Sequence, residues 1–205
     1  MTSQCHSTPQ CHSTRPAPNR VGEAELLAAA RECVLADGLR RTTLAGVARR
    51  AGVSRMTLYR RFPDVDSLVT ALITAEFTAI LHRARDAAGD GSARERLVAG
   101  TVHAVRLLQS APLLRRVLRT DAELLLPYLV ERLGSTQLAA EGFLREHVAH
   151  GHADKSIRAG DPPVQARALL LMVQSFVVSA VPAAQDDPTA LNDELARMLD
   201  AALAP

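Results

Sequence analysis

Past residue 21 the apolar residues of this 205-residue chain recur three and four apart, and most such runs are bounded by a capping residue, a glycine or a proline. Over residues 22–37, Leu26, Leu27, Ala30, Val34 and Leu35 mark one helix, and Gly38 stops it. A second short helix runs from 44 to about 51, capped by Thr42 or Thr43, with Leu44, Val47, Ala48 and Ala51 on one face and Gly52 closing it. Ser54 then caps a third helix from 55 to about 62, and Val53 and Leu58 stand at the spacing of a hydrophobic staple. With Leu58 turned to the core, Phe62 lies about 40° away on the buried side, while Met56 and Arg60 fall about 160° and 200° away. Thr57 and Tyr59 flank that outward pair, and Arg55 and Arg61 lie near its edges.

Two short helices joined by a turn of about three residues containing glycine form a helix-turn-helix, whose second helix is the reader. From residue 38 to 63 there are seven Arg and no Asp or Glu. Phosphate binding calls for that imbalance, because affinity for DNA comes largely from cations that replace condensed counterions. The chain carries a net charge of +2, but residues 1–63 hold ten Arg against four acidic residues, and residues 64–205 fourteen Lys or Arg against eighteen acidic ones. The basic character is therefore localised. The residues expected on the DNA face are Thr42, Thr43, Ser54, Arg55, Met56, Thr57, Tyr59, Arg60 and Arg61.

The stretch from Thr42 to Pro63 resembles the DNA-binding segment of the TetR family of transcriptional regulators. The telling residues are Ala51-Gly52-Val53-Ser54 followed by Thr57-Leu58-Tyr59 and Phe62, and the close match covers residues 26–68. Family members often carry Lys three residues after the Phe; Val65 stands here, leaving Arg60 or Arg61 to make that phosphate contact. The resemblance implies an all-α fold, with a three-helix DNA-binding domain over 21–66 and a helical ligand-binding and dimerisation domain over 67–205. It also implies a helix linking head to body, an inducer cavity in the body and a dimer through the last two helices.

In the body, Asp64 opens a helix to about residue 88, with Leu68, Leu72, Ala75, Ala79 and His82 expected along its inner side. Gly89-Asp90-Gly91 breaks the chain, and Ser92 with Glu95 forms a capping box for a helix to about 109. Pro112 sits in the first turn of a short helix. Asp121 opens another, which Pro127 kinks or restarts before a long run to about residue 150. Asp161-Pro162-Pro163 opens a helix ending near 182, and Asp187-Pro188 opens the last. The helix over 164–181 is apolar nearly all round; Gln174 and Ser175 interrupt it and Pro182 ends it, so no membrane span is expected. It must be covered on all sides. A second subunit covers the open side, the final helix (Leu191, Leu195, Met198, Leu199, Ala202) completing a four-helix contact. Two-fold symmetry then sets the reader helices about 34–36 Å apart on a palindromic operator.

The candidate effector residues are Phe77, His103, Leu107, Phe143, Met172, Gln174 and Phe176, chosen as body aromatics, a neighbouring apolar pair and polar residues at awkward positions on apolar helices. Residues 1–20 read as a disordered leader, and its Cys5-His6 and Cys11-His12 pairs lack a framework to hold a metal. His147, His150 and His152 straddle an expected helix end at Gly151 without a carboxylate or Cys at ligand spacing, so no metal is assigned. Three cysteines and no apolar leader point to the cytoplasm. No phosphate loop, His-Glu-x-x-His or Gly-x-Ser-x-Gly occurs, which argues against an enzyme and a cofactor. The expected function is a ligand-responsive regulator, a dimeric repressor released by a small apolar effector. The alternative is a DNA-binding regulator or architectural protein with no small-molecule response.

Overall fold

A computed structural model describes residues 21–125, 131, 133–185 and 187–205; the leader with its Cys-His repeat, and Pro127 and Tyr128, lie outside the described residues. Among the described residues there are nine α-helices and no strand: α1 Glu23–Asp37, α2 Leu44–Arg50, α3 Arg55–Arg61, α4 Val65–Asp86, α5 Ala93–Ser110, α6 Pro112–Thr120, α7 Ser135–Ala153, α8 Pro162–Ala183 and α9 Thr189–Leu203, with a 3-10 turn, Ala122–Leu125, after α6.

The first three helices close around one apolar cluster. Leu26, Ala30 and Val34 from α1 meet Leu44, Val47 and Ala48 from α2, Leu58 from α3, and Phe62. Leu58 has no exposed surface and anchors α3; burying such a side chain is worth about 1.5–3 kcal/mol. Local hydrogen bonds start each short helix. Thr43 Oγ1 accepts from the Gly46 amide at 3.1 Å, and Ser54 Oγ from the Thr57 amide at 3.1 Å, each cap contributing about 1 kcal/mol. Between them Gly52 takes φ +67°, in the left-handed region, which lets the chain reverse within three residues.

α4 begins from the Asp64 cap, whose Oδ1 accepts from the Ser67 amide at 2.7 Å, and it serves two cores in turn. Leu68 and Leu72 join the head cluster, whereas Ile80 and Ala84 are buried farther along. Ala75, Ala79 and His82, expected on the inner side, are exposed. The reason is that α4 changes partner, from α1 near its start to α5 and α7 farther on, so its buried face turns around the axis instead of keeping one stripe.

α5 is the central helix of the body and packs against α4, α6, α7, α8 and α9. Leu97, Val102 and Val105 from α5 share a core with Leu144 and Val148 of α7, Leu169 and Leu170 of α8, and Leu195 and Leu199 of α9. Within it lies a buried amide pair: Asn192 Nδ2 donates to Gln109 Oε1 at 2.7 Å, and Gln109 Nε2 donates to Asn192 Oδ1 and to the Phe176 carbonyl, each at 3.1 Å. Burial of these groups is tolerable only because each is paired, and the pairing sets the register of α9 on α5.

Two expectations for the body are corrected. The helix expected to run on from Pro127 begins at Ser135, where Gln137 Oε1 accepts from the Gly134 amide at 2.8 Å. It ends at Ala153, so Gly151 lies inside it. That glycine marks a close approach: a Cβ there would stand 2.3 Å from Cδ1 of buried Ile157. By length and composition α4 and α8 are each apolar enough to cross a membrane, Gln174 and Ser175 notwithstanding; here both are laid against other helices of the body.

Head and body meet at three points. Leu113 of α6 enters the head core. Arg31 of α1 pairs with Glu76 of α4 at 2.9 Å. The third is Asp121 at the end of α6, 3% exposed, whose Oδ2 accepts from the Thr120 hydroxyl at 2.7 Å and from the Leu39 amide at 3.3 Å. Arg40 adds its charge 3.8 Å from Oδ1 and also pairs with Glu123. The Thr120 hydroxyl above all, with the Leu39 and Arg40 amides and the Arg40 charge, holds the Asp121 carboxyl below its ordinary value against the opposing effect of burial.

Gly151→Ala forces Ile157 out of its place and is expected to cost about 1–3 kcal/mol in thermal or chemical denaturation. A depressed folded-state pKa stabilises the fold above the unfolded value and loses that contribution as pH falls through the folded one. Asp121→Asn is therefore expected to lower stability at neutral pH by roughly 1–2 kcal/mol. In denaturation curves taken at decreasing pH, the gap from the parent protein should close only below the ordinary carboxylate range.

Candidate DNA-reading face and effector cavity

α3 buries Leu58 on one side and exposes the other. Met56 is 77% exposed and Tyr59 46%, and Arg55, Arg60 and Arg61 all face solvent. The Ser54 and Thr57 hydroxyls lie 2.8 Å apart, so each occupies the other at the start of the helix. Thr43 is exposed at the α2 cap, but Thr42 is turned inward. It is buried, and its hydroxyl donates to the Gly38 carbonyl at 2.9 Å, which removes it from any outward-facing set. The turn after α1 needs that hydroxyl because the Gly38 carbonyl would otherwise be poorly satisfied.

The arginines divide into two groups. Arg61 donates to Glu23 Oε2 at 2.6 and 3.1 Å, and Arg50 to Glu32 Oε2 at 3.0 Å. Both carboxylates belong to α1, outside the acid-free stretch of 38–63. Arg40 is engaged with Asp121 and Glu123, and Arg41 Nε donates to the Asp37 carbonyl at 2.8 Å. Arg49, Arg55 and Arg60 have side chains with no hydrogen-bond or ion-pair partner among the described residues. Of these, Arg55 and Arg60 stand on α3 with the exposed Met56 and Tyr59, and Arg49 is exposed on α2.

The body holds a half-open cavity of about 550 Å³ between α4, α5, α6, α7 and α8. Its wall is mainly apolar, with Ile73, Phe77 and Ile80 from α4, Leu108 from α5, Leu113 and Val117 from α6, Phe143 from α7, and Val173 and Val177 from α8. Polar groups are few. Gln137 Nε2 donates to Gln174 Oε1 at 2.6 Å, and the buried Thr101 hydroxyl on the wall has no partner among the described residues. Glu76, paired to Arg31 of the head, also lines the cavity. One edge of the Phe143 site is closed by His147, ring centroids 4.1 Å apart, and by the Arg85 guanidinium 5.6 Å from the ring.

Of the seven effector residues expected from sequence, the structure brings Phe77, Phe143 and Gln174 to this cavity. His103 and Leu107 are half-buried on α5 away from its wall, and Met172 and Phe176 pack against the body core, Phe176 carrying the carbonyl that Gln109 reaches. On α8 the cavity side is the stripe Leu170, Val173, Gln174, Val177 and Val178, so residues 172 and 176 sit on a neighbouring face. Thr101 and Gln137 were not anticipated. A threonine mid-helix and a glutamine in a helix whose start was misplaced give no sequence signal of their own. Two of the three histidines of α7 have hydrogen-bonding partners: His147 Nδ1 lies 2.9 Å from the Phe143 carbonyl, and His152 Nε2 lies 2.8 Å from Gln165 Oε1 of α8. No group of three potential metal ligands occurs among the described residues.

Residues 26–72 match a family model described as bacterial regulatory proteins, tetR family. An HTH-type transcriptional regulator of Mycobacterium bovis is 38% identical over 155 residues, covering 76% of this chain and 79% of that one. Among solved structures, the fold is shared with SmeT, repressor of the Stenotrophomonas maltophilia multidrug efflux pump SmeDEF. That match has a TM-score of 0.65 at 20% identity over 91% of this chain and 92% of that one; SmeT is also solved as a triclosan complex. FadR of Bacillus subtilis, solved with stearoyl-CoA, matches with a TM-score of 0.64 at 18% identity over 89% of this chain and all of the other. The helix-turn-helix geometry, the kinship over most of the chain and the shared all-helical fold agree, and the chain belongs to the tetR family of bacterial transcriptional regulators, which are not enzymes.

Proposed function

We propose that this regulator is a cytoplasmic homodimeric repressor that holds a palindromic operator and is released when a small apolar effector enters the body. Residues 21–66 act as the reading head and 67–205 as the sensing and dimerising body. The observation that carries this reading is the cavity and what its wall is attached to. α4 and α6 line it, α4 carries Glu76 to Arg31, and α6 ends in Asp121, which holds the Leu39 amide. A molecule that displaces either helix therefore moves the head.

The effector class follows from the wall, which is mostly apolar, has a few uncharged hydrogen-bonding groups, and carries one carboxylate, Glu76, that is already paired with Arg31. The ligands in two structural relatives, triclosan in SmeT and stearoyl-CoA in FadR, are in keeping with a largely apolar occupant. By linkage, an effector weakens DNA binding only as far as its own affinity differs between the two head spacings. Dimerisation is supported by apolar side chains left open on the last two helices. Val164 is 63% and Leu171 59% exposed on α8, and Met198 stands exposed on α9. A second copy applied across the two-fold axis covers them and sets two α3 helices on one side of the duplex.

The test is a screen of uncharged apolar compounds for release of operator DNA from the purified full-length protein, with sedimentation to establish the dimer. Ala140 is half-buried on the cavity wall. Ala140→Trp fills part of the space and is expected to leave operator binding intact while raising the releasing concentration at least about tenfold. An unchanged response places the effector elsewhere. Arg60→Ala is expected to lower the preference for operator over random duplex by roughly tenfold or more in binding titrations. Arg61→Ala, already neutralised by Glu23, should change that ratio little.

A further inference from the structure

Met56 is the most exposed large apolar side chain among the described residues, at 77%. It stands at the second position of α3, amid Arg55, Thr57, Tyr59 and Arg60, none of which packs on it to shield it from water. In a helix-turn-helix the N-terminal residues of the second helix meet the base edges in the major groove. A methionine there has a narrow choice of partners. Its thioether is a weak acceptor and it has no donor. Set against guanine it covers acceptor atoms without returning a hydrogen bond, and against adenine or cytosine it offers the amino group only a weak one. Thymine alone presents a methyl group in that groove, and the flexible, polarisable methionine chain fits closely over it.

Resting on the reading of α3 as the recognition helix, we infer that Met56 selects thymine in the operator through the C5-methyl group. The neighbouring base is indicated by the same geometry. Arg60 lies four residues along, on the same outward face as Met56 and about 6 Å down the helix axis. Its guanidinium has no partner among the described residues and suits the O6 and N7 of guanine. Each half-site therefore carries a thymine and, close by, a guanine, and the two-fold axis repeats the pair in the other half.

The experiment uses the full-length protein and a randomised duplex library to recover the bound consensus. The consensus duplex is then synthesised with deoxyuridine replacing one thymine at a time. This removes the methyl and leaves the Watson–Crick and polar groove groups unchanged. At one thymine per half-site the loss of the methyl is expected to weaken binding about fourfold, and roughly fifteenfold when both half-sites are changed. Met56→Ala, a substitution at an exposed position, should bind the thymine and uracil duplexes equally, and Met56→Leu should restore the difference. The inference is overturned if the parent protein tolerates uracil at every thymine of the consensus. It is also overturned if Met56→Ala keeps the penalty, or if the consensus has no thymine near a guanine. Specific binding without methyl sensitivity leaves the proposed regulator standing, whereas a library that yields no consensus removes both.

Discussion

A buried carboxylate at the end of one short helix joins the two halves of this protein. Asp121 has almost no contact with water; its Oδ2 accepts from the Thr120 hydroxyl and the Leu39 amide, and the Arg40 guanidinium stands 3.8 Å from Oδ1. A buried charge deprived of such partners is costly, so the joint is either made or broken and does not stretch gradually. The helix that carries it also sends Leu113 into the head core and lines the body cavity with Leu113 and Val117. One element is thus shared by the two functions proposed for the chain. A shared element with a contact that is costly to break is one physical means by which sites that are far apart influence each other.

The body is built to hold that wall in place. α5 has one face in a close-packed core with Leu97 and Val105, and turns Thr101, Ala104 and Leu108 toward the cavity. The Gln109–Asn192 pair prevents α9 from sliding along it, because a shift of one turn would strand four buried polar groups. The cavity is therefore bounded by the central helix α5, by α7 and α8, and by α4 and α6, the helices that lead to the head.

The parts of this arrangement that were legible in the sequence are those determined by nearby residues. Ser54 with Thr57, Asp64 with Ser67 and Ser92 with Glu95 lie three apart, and each opens a helix where expected. The outward direction of Met56 and Arg60 follows from Leu58 pointing inward, a matter of one helical period. What escaped reading depends on partners far along the chain. Glu23 and Glu32 reach Arg61 and Arg50 from α1, so a stretch free of acids was not free of carboxylate contacts. Ala75 and Ala79 fit an inner stripe only if α4 keeps one partner, and it has two. Gly151 looked like a stop but makes room for Ile157. Thr42 looked like an outward hydroxyl but completes a turn. Both Met172 and Val173 pack against the body core, yet only Val173 also reaches the cavity wall, a distinction that no pattern of apolar letters contains.

The clips between Glu23 and Arg61 and between Glu32 and Arg50 bear on how such a molecule distributes itself over a chromosome. Charge that grips any phosphate equally well favours every register, and a genome offers at least about a million wrong registers for each right one. On the proposed reading, these two pairs offset part of the charge of Arg61 and Arg50 from within the chain and so loosen that indiscriminate hold, while Arg55 and Arg60 stay available to the operator. Fewer copies would then be stranded on arbitrary sequence.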